Sequence, residues 1–494
     1  MASTSIYAQL GHLPLPLDFQ ALLKSRPAPM NLGQRNFIRS NPTMNFLRIT
    51  LLLGLISSTS HADGWTVGLA RTVITPPQPV FMSGYASRNK PYQGVVNHLH
   101  AKALALSDEN GHRGLLITSD LIGFRAAVGD PICERIMKAS GLKRSQIILS
   151  STHTHTGPST TTKIEASGNM SKEDARKLYD YTGWLQDRVV EMALKALKDK
   201  RPAVLSRGLG VANFVMNRRE PTPRGIILGF NPSGPVDRSV PVLRVTSPDG
   251  DLLAVVFQAS AHNTTLGSRH YDICGDYAGF AQAHLERKLP GVQAMFMLGC
   301  AGDANPHPRG TLDIARQHGE ELGEEVLRIL DGKLSPVNGP LATEFSRTAV
   351  PLRPLLDEDE MNEFLKKRGG WRPWVAGKML EVKQKGESGA THYPAPFGVW
   401  QFGEDLTLVA MSGEVVVDYV YMLEKALGPL NLWISAYCND VYGYLRSARV
   451  LDEGGYETRG LYAGGIGLFS PKGEDVVVDS IVGLARKAGR KIGK

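Results

Sequence analysis

The sequence predicts an α/β protein with a mixed β-sheet core, arranged like a sandwich and flanked by helices. Short apolar, β-branched runs alternate with amphipathic helical segments, but without the strict strand–helix–strand rhythm of a fully parallel sheet. The length of 494 residues and the apolar content of 42% are enough to bury one large core, and no internal repeat is visible. We therefore interpret residues 63–494 as a single domain.

The composition and the motifs exclude several classes of function. The net charge is +8, but 48 acidic residues interrupt the basic ones and no basic stripe with interleaved aromatics appears, so we expect no nucleic-acid partner. The cysteines (Cys133, Cys274, Cys300 and Cys438) have no C-x-x-C spacing, so the sequence supports neither a thiolate zinc site nor a disulfide framework. No dinucleotide fingerprint, P-loop or G-x-S-x-G elbow is present. We therefore expect the partner to be a small-molecule or lipid substrate, and the sequence leaves the oligomeric state open.

Residues 44–62 have the pattern of a secretory signal peptide. Arg48 supplies the positive start, an apolar core follows, and Ser60–Ala62 has the small-x-small spacing of a cleavage site. Residues 1–43 show no periodic pattern, and a start codon placed too early, with Met44 as the true start, explains them best. We expect export to a periplasm or beyond, and no transmembrane segment in the mature chain.

The elements of the first half follow from periodicity and turn residues. Alternating residues end at Pro76, and two strands flank the turn Asp108–Arg113. Ser171 and Asp174 form a capping box before an amphipathic helix, and Ser247–Gly250 joins the strands of a hairpin. The predicted elements are strands at 64–77, 98–107, 114–120, 146–151, 241–246, 252–258 and 292–298, strand-like segments within 203–216, and helices at 171–200, 277–288 and 311–331.

The second half is less regular. Residues 355–395 show no clear period, and we interpret them as a surface insertion or a lid over the domain. Leu406–Met411 is a predicted strand, after which Glu414 opens a predicted apolar helix, V-V-V-D-Y-V-Y-M-L. A strand at Trp433–Tyr437 and a helix at 473–490 complete the prediction.

Two histidines end the predicted strand in Q-I-I-L-S-S-T-H-T-H-T-G-P, Gln146–Pro158. Successive side chains of a strand alternate between its faces, so His153 and His155 should point the same way. Metal hydrolases present a ligand and a proton-transfer partner in this manner. A hydrogen-bonded core histidine beside an exposed one is the alternative that this stretch alone leaves open.

Other polar side chains also follow apolar strands. His262 comes after the second strand of the hairpin, Glu414 follows Leu406–Met411, and Tyr444 follows the strand near Trp433. Two histidines and one carboxylate are a zinc-binding set that leaves positions open for water or substrate. A tyrosine oxygen is a chemically sound fourth ligand, and Asp276 is placed to orient His262.

These residues, in this order, resemble the neutral/alkaline (non-lysosomal) ceramidase family. The segment S-T-H-T-H-T-G-P (Ser151–Pro158) is similar to the family's A-T-H-T-H-S-G-P. Tyr444 and Tyr456 are separated by the twelve residues that separate two active-site tyrosines in the family. The likeness covers the N-terminal catalytic domain, and the chain as given ends before the family's immunoglobulin-like C-terminal domain. The mixed-sheet fold of that catalytic domain is therefore implied for residues 63–494.

The resemblance also implies an enzyme that cleaves an amide (N-acyl) bond with a zinc-activated water. The zinc ligands that it implies are His153, His262, Glu414 and Tyr444, and the catalytic residues that it implies are His155 for proton transfer, Arg218 and Tyr456 for the oxyanion, and Asn305 in the pocket.

Asn305 is a departure from the family pattern. It lies in C-A-G-D-A-N-P-H, where ceramidases have N-A-G-D-V-S-P-N with a serine implicated in hydrolysis or in binding the lipid alcohol. Two alternatives therefore stay open. One is a zinc hydrolase of a different small ester, amide or sugar conjugate, and the other is a non-catalytic exported binding protein on the same fold.

Overall fold

The computed structural model describes residues 64–165, 170–367, 371–460 and 467–492. The predicted extension at 1–43 and the predicted signal peptide at 44–62 lie outside the described residues. None of the helices in the described ranges combines the length and the apolar character that a bilayer crossing requires.

Strands and helices interleave along the described chain. The strands are β1 (Trp65–Val73), β2 (Gly94–Val95), β3 (His100–Ser107), β4 (Arg113–Ser119), β5 (Ile147–Ser151), β6 (Arg201–Val211), β7 (Val215–Thr222), β8 (Gly225–Asn231), β9 (Ser239–Thr246), β10 (Leu252–Ala259), β11 (Asp272–Ile273), β12 (Gln293–Leu298), β13 (Ala304–Pro306), β14 (Ser335–Pro336), β15 (Leu341–Pro351), β16 (His392–Phe402), β17 (Leu406–Ala410), β18 (Glu414–Val415), β19 (Leu432–Ser435) and β20 (Tyr444–Leu445). The helices are α1 (Ala126–Ser140), α2 (Lys172–Lys198), α3 (Asp276–Lys288), α4 (Leu312–Leu330), α5 (Glu358–Lys366), α6 (Trp371–Gln384), α7 (Asp418–Leu427), α8 (Ala448–Glu453) and α9 (Gly473–Lys487), with short 3-10 turns at Arg144–Gln146 and Tyr456–Thr458.

The larger sheet is mixed, and its two edges approach each other. Its strand order is β12-β10-β9-β6-β1-β3-β4-β5, with β10 parallel to β12 and β4 parallel to β5. The segment Ala436–Asn439 joins these edges: the N–H of Ala436 donates to the carbonyl of Leu298 in β12 (2.8 Å), and the N–H of Asn439 donates to the carbonyl of Leu149 in β5 (2.6 Å). Because hydrogen-bonded strands lie about 5 Å apart, the loops after β5 and β10 meet beside this segment.

A second sheet, β15-β16-β17-β19, completes the sandwich. Its Trp400, Phe402 and Leu408 belong to one buried cluster with Leu104 of β3 and Leu116 of β4. The opposite face of β3 and β4 is covered by α1 and α2, which share a second cluster with it. The predicted fold class, a sandwich-like mixed sheet flanked by helices, is confirmed.

Most predicted elements are present, but one boundary prediction is wrong. The helix α2 begins with the predicted capping box of Ser171 and Asp174, and β9 and β10 form the predicted hairpin. Glu414, however, does not open a helix, because Glu414 and Val415 form β18 beside β20, and α7 begins only at Asp418. The valine run is β-branched, which favours this extended pairing over a helix.

The least regular stretch contains helices. The segments α5 and α6 lie between β15 and β16, which pair directly with each other. Leu356, Met361, Val375 and Met379 form a small apolar cluster there with Leu468. Residues 355–395 therefore include a helical segment inserted between paired strands, and its role as a lid stays a prediction.

A glycine in β1 provides a test of how tightly α2 is packed against the sheet. A Cβ atom at Gly68 would lie 1.9 Å from the carbonyl oxygen of Ala196 and 2.2 Å from that of Asp199. We expect Gly68→Ala to lower the free energy of unfolding by at least about 2–3 kcal/mol, because two backbone groups would have to move. Denaturant unfolding followed by circular dichroism measures this change.

Gly183→Ala is the matched control. Gly183 is an exposed position inside α2 where an added Cβ meets nothing within 4 Å. Alanine there should raise stability by up to about 1 kcal/mol through its higher helix propensity. A similar loss in both variants would contradict the close approach of β1 and α2.

Candidate active site

His153 and His155 come together for a different reason from the one that the sequence suggested. The strand β5 ends at Ser151, and His153 has a left-handed backbone (φ +60°), so strand alternation does not orient this pair. The chain turns because the N–H of His153 donates to the carbonyl of Leu121 (2.8 Å). After this turn the Nε2 atoms of His153 and His155 are 3.2 Å apart.

His155 is packed from behind by a glycine loop. A Cβ atom at Gly84 (φ +91°) would lie 2.5 Å from the imidazole of His155, so this position needs glycine. The ring of Tyr85 meets the His155 ring edge-on, with centroids 5.1 Å apart. Burial and the neighbouring His153 and His262 lower the pKa of His155 well below its usual value, so the imidazole is neutral at neutral pH.

His262 lies beside His153 although the two residues follow strands near opposite edges of the larger sheet. It follows β10, and its ring lies nearly perpendicular to that of His153, with centroids 4.8 Å apart. Its Nδ1 donates to the carbonyl of Ala301 (2.6 Å), and the Nδ1 of His153 donates likewise to the carbonyl of Ile122. A carbonyl can only accept, so both rings carry a proton on Nδ1, and a neutral ring then presents the lone pair of its Nε2 to the site.

Glu414 completes a group of three acceptors. One of its carboxylate oxygens, Oε2, lies 3.0 Å from Nε2 of His262 and 3.4 Å from Nε2 of His153. Burial and Arg218 lower the pKa of His262 to about 3, so this imidazole does not carry a second proton. Burial alone would raise the pKa of Glu414, but a positive charge between it and the imidazoles of His153 and His262, whether a proton or a metal ion, holds it well below its usual value, so the carboxylate is ionised.

The donor set fits a zinc ion. With Nε2 unprotonated, as a metal ligand must be, the two imidazoles and the carboxylate direct lone pairs at one another in a buried site, and that arrangement is unfavourable without a cation between them. The second ring nitrogens are bound by backbone carbonyls, as is usual for histidines that hold metals. His153, His155 and His262 also place one ring nitrogen each within 4.8 Å of the others, so His155 is a further candidate ligand.

Arg218 and Tyr444 lie next to this group and are linked to each other. The NH2 group of Arg218 donates to the hydroxyl oxygen of Tyr444 (2.8 Å), and the ring of Tyr444 stacks on that of His262 with centroids 6.5 Å apart. Burial would lower the pKa of Arg218, but Tyr444 and Glu457 raise it well above its usual value, so the guanidinium stays charged.

A buried carboxylate holds Arg218 in position. Glu457, which has no exposed surface, accepts from Nε of Arg218 (2.9 Å) and from NH1 of Arg219 (2.6 Å). Arg219 also pairs with Glu453 (2.9 Å). One carboxylate therefore compensates much of the charge of two arginines that would be costly to bury alone.

The remaining predicted residues line a cavity of about 380 Å³. Tyr456 places its ring 5.7 Å from the guanidinium carbon of Arg218, and Asn305 accepts hydrogen bonds from Arg218 and Thr264. The hairpin of β7 and β8 contributes apolar side chains on the other side. The lining consists of Gly84, Tyr85, His155, Met216, Asn217, Arg218, Leu228, Gly229, Phe230, Thr264, Asn305, Pro306, His307, Arg309, Tyr444 and Tyr456.

One sequence-based assignment is wrong and two residues were missed. Asp276 does not orient His262: its carboxylate accepts from the N–H groups of Tyr277 (2.7 Å) and Leu266 (3.0 Å), while His262 is held by a backbone carbonyl. Tyr437, whose ring centroid is 4.5 Å from that of His153, was missed although it follows a strand, as His153 and His262 do. Glu457 was missed because nothing local in the sequence marks it.

Three comparisons bear on this geometry. A family model described as neutral/alkaline non-lysosomal ceramidase, N-terminal, matches residues 65–313. Neutral ceramidases B and A of Dictyostelium discoideum are each 25% identical, over 249 and 271 residues, which is 47% and 51% of this chain and 34% and 37% of theirs. The matched part of the chain thus spans about a third of these relatives. The crystal structure of neutral ceramidase from Pseudomonas aeruginosa shares the fold, with a TM-score of 0.66, 20% identity, and coverage of 87% of this chain and 75% of that one.

The network around Glu457 leads to a prediction about stability. Glu457→Gln removes the negative charge between Arg218 and Arg219, and we expect it to lower the free energy of unfolding by about 3–5 kcal/mol, because Arg218 loses its carboxylate partner and Arg219 keeps only the partly exposed Glu453. Denaturant unfolding of the purified variant measures the loss.

Glu453→Gln serves as the control for this variant. Glu453 pairs with Arg219 and Arg449, but its side chain is 33% exposed, so water screens the charge. We expect a loss of less than about 1 kcal/mol. If the two variants lose equal stability, the buried position of Glu457 is not what makes its charge important.

Proposed function

Because the chain belongs to the neutral/alkaline non-lysosomal ceramidase family, we propose that it is a zinc-dependent hydrolase that cleaves an amide (N-acyl) bond with an activated water. The observation that carries the proposal is the convergence of the Nε2 atoms of His153 and His262 on Oε2 of Glu414. Together with Tyr444, these residues would hold the ion. When bound, zinc would activate water and polarise the scissile carbonyl.

The other side chains have roles that their surroundings support. His155 is neutral, lies beside His153 and lines the cavity, so it can accept a proton from water and pass it to the leaving amine. Arg218 is charged and held rigidly, and with Tyr456 it would donate hydrogen bonds to the developing oxyanion. Asn305 offers no nucleophile, which favours attack by water over a covalent acyl-enzyme.

A second candidate is a zinc hydrolase of another small ester, amide or sugar conjugate. Two observations favour it: Asn305 replaces the family serine, and the cavity of about 380 Å³ lies near the lower end of the usual range for small-molecule sites. An N-acyl amide, the ester with the same acyl chain and a matched glycoside, assayed side by side, decide between the candidates. Cleavage of the glycoside alone would overturn the amidase proposal.

We also propose that the protein is exported, because residues 44–62 have the pattern of a signal peptide. Mass spectrometry of the protein recovered outside the cytoplasm should give an N-terminus at Asp63. Recovery of the unprocessed chain in the cytoplasm alone would contradict export.

Metal analysis is the most direct test of the site. We expect about one zinc per chain in the purified protein, and loss of both zinc and amidase activity in His153→Ala and Glu414→Ala, because each removes one of the converging ligands. Elemental analysis and hydrolysis of an N-acyl amide are the measurements.

His392→Ala is the control, since His392 is an exposed histidine in the second sheet and should keep zinc and activity. Full activity in a metal-free His153→Ala protein would overturn the proposal. Absence of zinc from both the parent chain and the Glu414 variant would favour the alternative of a non-catalytic binding protein.

A further inference from the structure

The orientation of the Asn305 amide is fixed by its neighbours. Its Oδ1 is 3.1 Å from the hydroxyl oxygen of Thr264 and 3.3 Å from NH1 of Arg218. An arginine can only donate, so the atom that faces it must be the carbonyl oxygen of the amide, and the NH2 group lies on the other branch. Asn305 lines the cavity and is partly exposed, so this NH2 group is available as a donor where the family pattern has a serine.

The cavity has a positive charge that the protein does not compensate. Its lining contains Arg218 and Arg309 and no aspartate or glutamate. Arg218 pairs with the buried Glu457, whereas Arg309 has no carboxylate within ion-pair distance in the described parts of the chain. The hydrogen bond found for Arg309 is a long one, 3.5 Å from its NH2 group to the hydroxyl oxygen of Tyr85.

Arg309 lies on the side of the cavity where the leaving group would depart. Tyr85 contacts both His155 and Arg309: its ring packs on His155 with centroids 5.1 Å apart, and its hydroxyl oxygen accepts the hydrogen bond from Arg309. In the proposed reaction His155 delivers the proton to the leaving amine, so Arg309 would face the amine part of the substrate. A second basic depression, lined by Arg309, Arg269 and His270, continues from this side.

From this geometry we propose that the substrate is an N-acyl compound whose amine part carries an anionic group, a carboxylate or a phosphate, bound by Arg309. The Asn305 amide donates a second hydrogen bond to an acceptor of the same substrate. This inference rests on the proposed function, because the assignment of the amine side depends on His155 as the proton donor. A charged hydrogen bond to such an anion supplies a preference of about tenfold or more over a neutral analogue.

Three substrates with one acyl chain test the inference. N-octanoylethanolamine is neutral, its O-phosphate carries the phosphate, and N-octanoylglycine carries the carboxylate. We expect kcat/KM for at least one anionic compound to exceed that of the neutral one by about tenfold at low ionic strength, and the ratio to fall as salt is added. The anionic compound with the larger ratio identifies the preferred group.

Two variants test whether Arg309 causes the preference for anionic substrates. Arg309→Gln should reduce the ratio between anionic and neutral substrates to about one. Arg135→Gln is the matched control, since Arg135 is a half-exposed arginine that pairs with Asp187 between α1 and α2, outside the cavity lining. It changes the net charge by the same amount and should leave the ratio unchanged. An unchanged ratio in Arg309→Gln would overturn the assignment of Arg309.

A binding measurement distinguishes failure of the anion site from failure of the proposed amidase function. Calorimetric titration of the same compounds into EDTA-treated protein, which should not turn them over, measures affinity alone. Tighter binding of an anionic compound that depends on Arg309, without hydrolysis in the untreated protein, would support the anion site and reject the amidase proposal. Hydrolysis of all three compounds at equal rates would reject the anion site and leave the amidase proposal standing.

Discussion

The convergence of two imidazole nitrogens and a carboxylate oxygen is the constraint on which the centre of this protein depends. Oε2 of Glu414 lies 3.0 Å from Nε2 of His262 and 3.4 Å from Nε2 of His153, and all three residues are buried. A folded chain can keep such a group only if each member is held from outside or if a cation binds between them. The backbone carbonyls of Ile122 and Ala301 hold the two imidazoles in this way, and the zinc proposal provides the second condition.

Holding the group requires distant parts of the chain to meet. His153 follows β5, His262 follows β10 and Glu414 lies in β18, so the closure of the larger sheet by the segment Ala436–Asn439 determines their separation. The Arg218–Glu457 ion pair also joins distant parts of the chain, since its two residues are 239 positions apart. Fold stability and site geometry therefore depend on the same contacts.

The sequence predicted what is local and missed what is not. Periodicity and capping residues were sufficient for α2 and for the β9–β10 hairpin, and the position of polar residues after strands was sufficient to select His262 and Glu414. The left-handed turn at His153, the closing segment Ala436–Asn439 and the role of Glu457 depend on contacts between remote residues, which no local pattern encodes. Asp276 was assigned wrongly for the same reason, because proximity in sequence does not give the direction of its carboxylate.

Backbone strain concentrates where these remote segments meet. His153, Tyr437 and Asn439 all have left-handed φ values, of +60°, +55° and +66°. Such a conformation costs a non-glycine residue about 1–2 kcal/mol, and it persists only when surrounding bonds determine it. Here the bonds from Asn439 to β5 and from Ala436 to β12 lie on either side of Tyr437 and hold its ring 4.5 Å from that of His153. The strain thus packs an aromatic ring against one proposed ligand, and this contact adds to the hydrogen bond from Nδ1 of His153 to Ile122 in directing that imidazole at Glu414.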